Sequence, residues 1–364
     1  MARRSSQELS DWREFDYRNR RFVEAKVPRG ANEGQKYTVA KRVAERYEVK
    51  SFFKSGGCGL LLNGLDLQTG AEVLIKTTLR YDVAFEMKGR DRENVARKLK
   101  GPRQQLQIER RILVLLKNEG CNAVPNPNDY VFDWNPSLEG PHIDVGGSAW
   151  KYDDESMLSS EPYLVMEHIT GRTVADLLKK ECSHGVSEER ALLIMQQVSN
   201  VLRVLHRPFT MRNAARWQII YQDLKPENIL VGPHDQAVVV DMGGCFLRIN
   251  GNPRALGART SGYGAPECDT DKDGLRWTAA VDSYAFGSTV YHMLTGVEPA
   301  EFMQSRLGDA GPKAVPPDRW NWDLLKGKCG QSTYDFVQRC LEGSPAARPR
   351  DGQALYDEIE RLRR

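Results

Sequence analysis

Tyr221-Gln222-Asp223-Leu224-Lys225-Pro226-Glu227-Asn228-Ile229-Leu230 is the stretch that decides the reading of this chain. The apolar pair Ile219-Ile220 precedes it, and Ile229 to Val231 follow. A polar loop between two short buried strands therefore presents an Asp, a Lys and an Asn together. Thirteen residues after Asn228 stands Asp241, closing the β-branched run Val238-Val239-Val240 and preceding Met242-Gly243. An acid at such a strand end is well placed to meet a hard metal ion. Each fragment alone reads as an ordinary loop; in this order they do not arise readily by chance.

Working outward, the region from Tyr47 reads as strand, turn, strand. Tyr47 to Phe52 is a half-apolar strand, and Lys54-Ser55-Gly56-Gly57-Cys58-Gly59 is a glycine-rich turn. Leu60 to Leu62 and Ala71 to Thr77 continue an antiparallel meander. The glycine run alone is equally a hairpin that needs φ > 0 and a loop whose N–H groups approach phosphates. Lys76, 17 residues after Gly59, favours the second reading. Gln105 to Lys117 has helical spacing of Leu106, Ile112, Leu113 and Leu116. Residues 118–160 are turn-rich around a short Tyr130–Phe132 strand, and Glu161 to Glu167 is another strand. The remainder is mostly helical: Ser187 to His206, Ala279 to Leu294 and Ser332 to Leu341.

The chain has 364 residues, 40% hydrophobic and 28% charged. That balance excludes wholesale disorder. A net charge of +3 does not suggest a nucleic-acid partner. Residues 1–50 are more basic, with 13 Lys/Arg against 8 Asp/Glu. No apolar run is long enough to cross a bilayer, and the first residues lack a secretory h-region. Seven widely spaced cysteines without a C-x-x-C fit neither a zinc ribbon nor a disulfide framework. A cytoplasmic protein with reduced thiols is the expectation.

This order of segments resembles the eukaryotic-like (Hanks-type) protein kinases, most closely their Ser/Thr branch, over roughly residues 46–360. The resemblance implies an α+β, bilobal fold: an antiparallel β-sheet N-lobe with one main helix, and a mostly α-helical C-lobe. The expected divisions are a basic and aromatic N-terminal extension at 1–45, the N-lobe and hinge at 46–170 with an insertion near 134–160, and the C-lobe at 171–364 with an insertion near 207–217. It further implies ATP and Mg²⁺. Gly56, Gly57 and Gly59 would approach the phosphates. Lys76, held by Glu109, would bind the α- and β-phosphates. Asn228 and Asp241 would hold the metal, Asp223 would act as base, Lys225 would steady the γ-phosphate, and Thr260 would buttress both. Leu61, Leu74 and Leu230 would sandwich the adenine, with Met166 as gatekeeper and the backbone of Glu167 and Ile169 at its edge. Thr260 to Glu267 resembles the family's peptide-substrate platform. Asp282 matches a buried helix acid, and Arg348 would pair with Glu267.

Several positions depart from the family pattern. Lys54 stands where the first loop glycine is usual, Leu74 replaces a small alanine over the adenine, and Met242 replaces phenylalanine. Gln222 replaces the arginine that often receives an activation-loop phosphate, which makes this a non-RD loop whose activity is expected not to need that phosphate. His292 occupies a place where some basic-directed kinases carry an acid. The expected activity is phosphoryl transfer to a protein Ser/Thr, with a regulatory partner engaging the extension or the insertions. The alternatives are a weakly active or inactive kinase-fold scaffold, to which Leu74 points, and a small-molecule kinase. The 207–217 insertion reads either as surface elaboration or as a docking element. Cys58 and Cys245 read as unrelated thiols or as a redox pair.

Overall fold

Alternation of apolar and polar residues builds the first half of the chain. The computed structural model describes residues 12–17, 19–26, 36–56, 59–78, 92–134, 160–211, 214–255, 260–271, 273–303 and 314–364. Gly57, Cys58 and most of the 134–160 insertion lie outside the described residues. Two compact units divide the chain, residues 1–111 with 126–168 and residues 112–125 with 169–364.

In the first unit, β1 (Trp12–Tyr17), β2 (Arg20–Lys26) and β3 (Lys36–Ala40) form a three-stranded antiparallel sheet. β4 (Arg42–Val43), β5 (Tyr47–Gly56), β6 (Gly59–Asp66) and β7 (Glu72–Thr77) follow. After the long helix α1 (Arg92–Asn118) come β8 (Pro127–Trp134) and β9 (Ser160–Glu167). Strands β4 to β9 make one antiparallel sheet in the order β4-β5-β6-β7-β9-β8. Register sorts its two faces. Leu61, Lys76 and Leu164 lie across from one another, as do Leu74 and Met166, and all share one face. Leu60, Leu62, Val73, Ile75 and Val165 fill the other face and are fully buried. They join one apolar core with Phe22, Val23, Tyr37 and Val39 of the N-terminal sheet. Within the stretch read from sequence as an N-terminal extension, residues 12–17, 20–26 and 36–40 are thus strands, and Phe22, Val23, Tyr37, Val39 and Ala40 belong to the core of this unit.

Asp133 ties these layers together. Its carboxylate accepts two hydrogen bonds from Arg20, at 2.7 and 2.8 Å, and one from the Ala44 N–H at 2.8 Å. Ala44 and Glu45 are both left-handed, φ 48° and 53°, in the tight β4–β5 connection. Such non-glycine positions cost energy and persist only where the surroundings hold them. Helix α1 begins about three turns before the expected Gln105. Its front is rich in Arg, Glu and Lys, good helix formers without an apolar stripe, and it continues through Pro102.

The second unit is mostly helical. β10 (Arg172–Thr173) leads into α2 (Val174–Lys180), where the Thr173 hydroxyl caps the Asp176 N–H. Ser187 likewise caps α3 (Glu188–Leu205), whose apolar side is buried as its spacing predicts. β11 (Phe209–Thr210), β12 (Arg216–Ile220), β13 (Ile229–Val231), β14 (Ala237–Val239), β15 (Phe246–Ile249) and β16 (Asn252–Ala255) follow. They form two small antiparallel sheets, β10-β13-β14 and β11-β12-β15-β16. Then come α4 (Glu267–Thr270), α5 (Ala280–Thr295), α6 (Trp322–Leu325), α7 (Gln331–Cys340) and α8 (Gly352–Leu362). Every residue of α5 is buried. A side chain at Gly352 would lie 2.2 Å from the Leu202 backbone, so only glycine lets α8 start against α3. Among the described residues no helix is long and apolar enough to cross a membrane.

Asp133→Ala removes both carboxylate contacts of Arg20, which keeps the Arg42 carbonyl and Glu45, and the acceptor of the Ala44 N–H. We expect it to destabilise the first unit by about 2–4 kcal/mol, seen as a melting temperature lowered by several degrees in thermal denaturation. An unchanged melting curve would remove Asp133 as the tie.

Candidate functional site

Each unit assembles part of the expected chemistry. In the first, Lys76 projects from β7 and Glu109 from α1. The Lys76 ammonium donates to Glu109 at 2.8 and 3.1 Å, with both side chains buried. A charged pair out of water persists only when well bonded, and two short contacts meet that demand. Leu61, Leu74 and Met166 lie on the same sheet face as Lys76. Leu61 and Leu74 are half-buried and Met166 is buried. At Gly59, φ is 124° and a Cβ would sit 2.0 Å from the Thr77 carbonyl oxygen, so the β5–β6 hairpin closes against β7 only with glycine there. Gly56 pairs with Gly59 in register. The Glu167 N–H donates to the Asn126 carbonyl at 2.9 Å, while its carboxylate accepts from the Asn126 N–H.

In the second unit, the predicted Asp, Lys, Asn and Thr meet in one hydrogen-bonded group. Lys225 donates to Asp223 Oδ2 at 2.8 Å and to the Thr260 hydroxyl at 2.6 Å. Thr260 in turn donates to Asp223 Oδ1 at 2.7 Å. Asn228 donates to the Asp223 carbonyl at 2.8 Å and to Oδ2 at 3.2 Å. Both carboxylate oxygens of Asp223 are therefore held in place. The Val240 N–H donates to the Asn228 carbonyl at 3.0 Å, which brings the strand ending at Asp241 beside Asn228. Asp241 is exposed and left-handed, at φ 62° and ψ 64°. Leu230 pairs with Thr173 and Val238 in its small sheet and is half-buried. Ile169 is half-buried just before β10.

The loop that carries Asp223 is fixed from behind. Asp282 on α5 accepts from the Tyr221 and Gln222 N–H groups, each at 2.7 Å, and from His206 Nε2 at 2.8 Å. The Gly352 N–H donates to His206 Nδ1 at 2.8 Å, which assigns the ring proton to Nε2. Gln222 is left-handed at φ 72° and buried. The Tyr221 hydroxyl donates to the Val240 carbonyl at 2.5 Å, joining this loop to the Asp241 strand. Burial, and then the charges of Asp241 and Asp223, push its phenol well above the usual range.

The Thr260 to Glu267 segment is anchored to α5. Ser288 donates to the Gly262 carbonyl at 2.7 Å, and the Tyr263 hydroxyl lies 2.6 Å from His292 Nδ1. Arg348 binds Glu267 through two 2.9 Å contacts and also donates to the Glu342, Gly343 and Ala280 carbonyls. The sequence reading identified Asp282, Glu267 and Arg348, but not the roles of His206, the Tyr221 hydroxyl or the Tyr263–His292 pair. His206 carried a local signal as the last residue of an amphipathic helix. The other contacts join segments far apart in sequence and have no local pattern.

Asn228 and Asp241 fit magnesium by the chemistry of their donors. Mg²⁺ takes oxygen ligands, keeps waters, and is held by one or two side chains together with substrate phosphates. Asn228 spends its amide hydrogens on Asp223, which leaves its carbonyl oxygen as the ligand. Among the described residues no cluster of three or more His, Cys, Asp or Glu forms a metal cage, so a metal here would take the rest of its shell from phosphate and water.

Comparison with known proteins gives a consistent result. The protein kinase domain family matches residues 150–358, more than half of the chain. The chain is similar to Sporulation-specific protein 1 of Saccharomyces cerevisiae, at 28% identity over 196 residues, 51% of this chain and 35% of that protein. It is similar to the serine/threonine-protein kinase fray1 of Dictyostelium discoideum, at 24% over 217 residues, 57% of this chain and 34% of that protein. It also matches the serine/threonine-protein kinase PknA of Corynebacterium glutamicum, at 29% over 206 residues, 55% of this chain and 39% of that protein. The chain spans little more than a third of the length of these relatives.

Burial lowers the His292 pKa to about 4, whereas an unfolded histidine takes up its proton near ~6.5. Between these values the unfolded state binds more protons, so stability falls as pH drops through that window. Going from pH 7 to pH 5 is expected to cost about 2 kcal/mol from this residue alone. Chemical denaturation at pH 7, 6 and 5 should show that slope, and His292→Gln should flatten it.

Proposed function

Because the chain belongs to the protein kinase domain family, in its Hanks-type Ser/Thr branch, we propose that it transfers the γ-phosphate of ATP to a Ser or Thr hydroxyl of a protein substrate. The observation that carries the reading is the hydrogen-bonded group of Lys225, Thr260 and Asn228 around the Asp223 carboxylate. A carboxylate fixed this way is oriented to accept one proton from a hydroxyl. The hydroxyl oxygen bonds to the γ-phosphorus, the bond from that phosphorus to the ADP oxygen breaks, and Asp223 takes the proton. Phosphoryl transfer has a loose transition state, so the protein contributes mainly position and charge.

The remaining assignments carry over from the family, residue by residue. Lys76, oriented by Glu109, pairs with the α- and β-phosphates, and Lys225 with the γ-phosphate. The backbone around Gly56, Gly57 and Gly59 approaches the phosphates. Leu61, Leu74, Met166 and Leu230 contact the base, with the backbone of Glu167 and Ile169 at its edge. Asp241 and Asn228 hold Mg²⁺, which when bound neutralises phosphate charge. Thr260 orients Asp223 and Lys225 without touching the nucleotide.

A second reading is favoured by Leu74. It stands on the Lys76 face where the family usually has alanine, and extra methyl groups in a packed slot cost ~1–3 kcal/mol when the slot does not relax. A scaffold that binds nucleotide poorly would follow. The two separate in paired measurements with labelled ATP, Mg²⁺ and a generic Ser/Thr substrate. The wild-type chain should transfer label, and Asp223→Asn should lower the rate by ~10²–10⁴-fold. ATP at 100 times its Kd should raise stability by about 2.7 kcal/mol. Absence of both transfer and a nucleotide-dependent melting shift would replace the kinase reading with the scaffold.

A further inference from the structure

Between Asp241 and Thr260, residues 246–249 and 252–255 are built into a sheet. β15, four residues past Met242, pairs with β12, the strand that leads into the Asp223 loop; Trp217 faces Ile249 and Ile220 faces Phe246. β16 returns from β15 through Asn250-Gly251, at φ 50° and 84°. Both residues being left-handed is the backbone of a tight hairpin turn. The Asn250 N–H donates to the Arg216 carbonyl, and Asn250 Oδ1 accepts from the Arg216 N–H. β11 adds a fourth strand, with Phe209 facing Trp217 and both side chains buried. Residues 207–217, expected as surface elaboration or docking, therefore contribute an edge strand and core residues to this sheet.

Arg248 fastens the sheet to residues 274–277, beyond Thr260 in the chain. Its guanidinium donates to the carbonyls of Gly274, Leu275 and Trp277 at 2.8, 3.1 and 3.4 Å, and it lies 5.5 Å from the Phe246 ring. Phe246 packs on Trp277 with ring centres 4.9 Å apart. A side chain at Gly274 would collide with Phe246 at 2.6 Å, so these surfaces fit closely. All three contacts come from one terminal nitrogen, Nη2, whose two hydrogens are shared among the three carbonyls. Meanwhile Gln222, next to Asp223, is buried and neutral, and offers no cation to a phosphate.

We propose that Arg248, together with the β11–β12 hairpin, positions the segment running from Asp241 to Thr260, so that phosphoryl transfer proceeds without phosphorylation of that segment. This rests on the kinase reading above, with Arg248 as a positioning residue that acts through the 274–277 carbonyls. A docking role for residues 207–217 would impair one substrate selectively, whereas a clamp affects every peptide substrate.

The test uses the full chain, stripped of phosphate by phosphatase and checked by intact mass, as wild type, Arg248→Ala and Arg248→Lys. Dephosphorylated wild type should keep its rate within about twofold. Arg248→Ala should lower kcat/KM for two unrelated peptide substrates at least ~10-fold, leaving KM for ATP within about twofold, and Arg248→Lys should recover part of the loss. Amide exchange should quicken over residues 246–255 in Arg248→Ala but stay unchanged in α5. The proposal is overturned by a loss of ~10-fold or more on dephosphorylation that rephosphorylation reverses, by an Arg248→Ala enzyme as efficient as wild type, or by equal loss of protection in α5. If wild type transfers no more label than Asp223→Asn, the kinase reading fails. The exchange comparison, which needs no catalysis, then decides on its own whether Arg248 is the clamp.

Discussion

The geometry of the second unit depends on one fully buried carboxylate. Asp282 has no solvent exposure, sits on a helix buried along its whole length, and accepts three hydrogen bonds of 2.7–2.8 Å. A buried charge is tolerable only when its lone pairs are engaged. Two of these bonds go to consecutive backbone N–H groups, at Tyr221 and Gln222, so the acid fixes a backbone conformation as well as a side chain. That conformation includes the left-handed Gln222, which a non-glycine residue adopts only when held. Asp223 follows directly and inherits its direction from this restraint. The third bond goes to His206, whose other nitrogen accepts from Gly352, so the start of α8 is coupled through one imidazole to the loop bearing Asp223.

In the first unit the organising constraint is a division of labour between sheet faces. Lys76 and Glu109 bury a charge pair on one face, while on the opposite face Leu60, Leu62, Val73, Ile75 and Val165 need a cover. Phe22, Val23, Tyr37 and Val39 supply it from strands that precede the meander. Burying such side chains contributes about 1.5–3 kcal/mol each. The cover is therefore a large part of what keeps β7, and with it Lys76, in place. Asp133 joins the cover to the sheet at the β4–β5 connection, where local backbone strain would otherwise open it.

Residues whose chemistry dictates their spacing were legible in the sequence. The Asp223 to Asn228 loop, Asp241 and Lys76 could be placed from the strand patterns around them, Glu109 was matched only through the family resemblance, and the strands from Tyr47 to Thr77 and helix α3 followed from their periodicity. Residues 12–40 were not read as strands because charges interrupt short apolar alternations; Tyr37-Thr38-Val39 was the available signal. The β15–β16 hairpin was not read from the sequence, although Asn250-Gly251 is a strong turn pair. The contacts of Arg248 with residues 274–277, and of Tyr263 with His292, join positions 26 to 29 residues apart through tertiary packing alone. No periodicity encodes them.

The choice of Tyr221 at the junction of two acid-bearing segments has a physical logic. Its hydroxyl must donate to the Val240 carbonyl while Asp223 and Asp241 lie close by. A histidine there would titrate near neutrality, because neighbouring carboxylates favour its charged form. A phenol responds in the opposite sense: burial and negative neighbours both raise its pKa, so it stays neutral and protonated. The charges of Asp241 and Asp223 therefore reinforce this hydrogen bond. The Tyr221 hydroxyl that links the Asp223 loop to the Asp241 strand stays protonated, whereas Tyr263 shares its hydrogen bond with an imidazole that burial keeps neutral only above about pH 4. Acid thus reaches the Thr260 to Glu267 segment before it reaches the join between the Asp223 loop and the Asp241 strand.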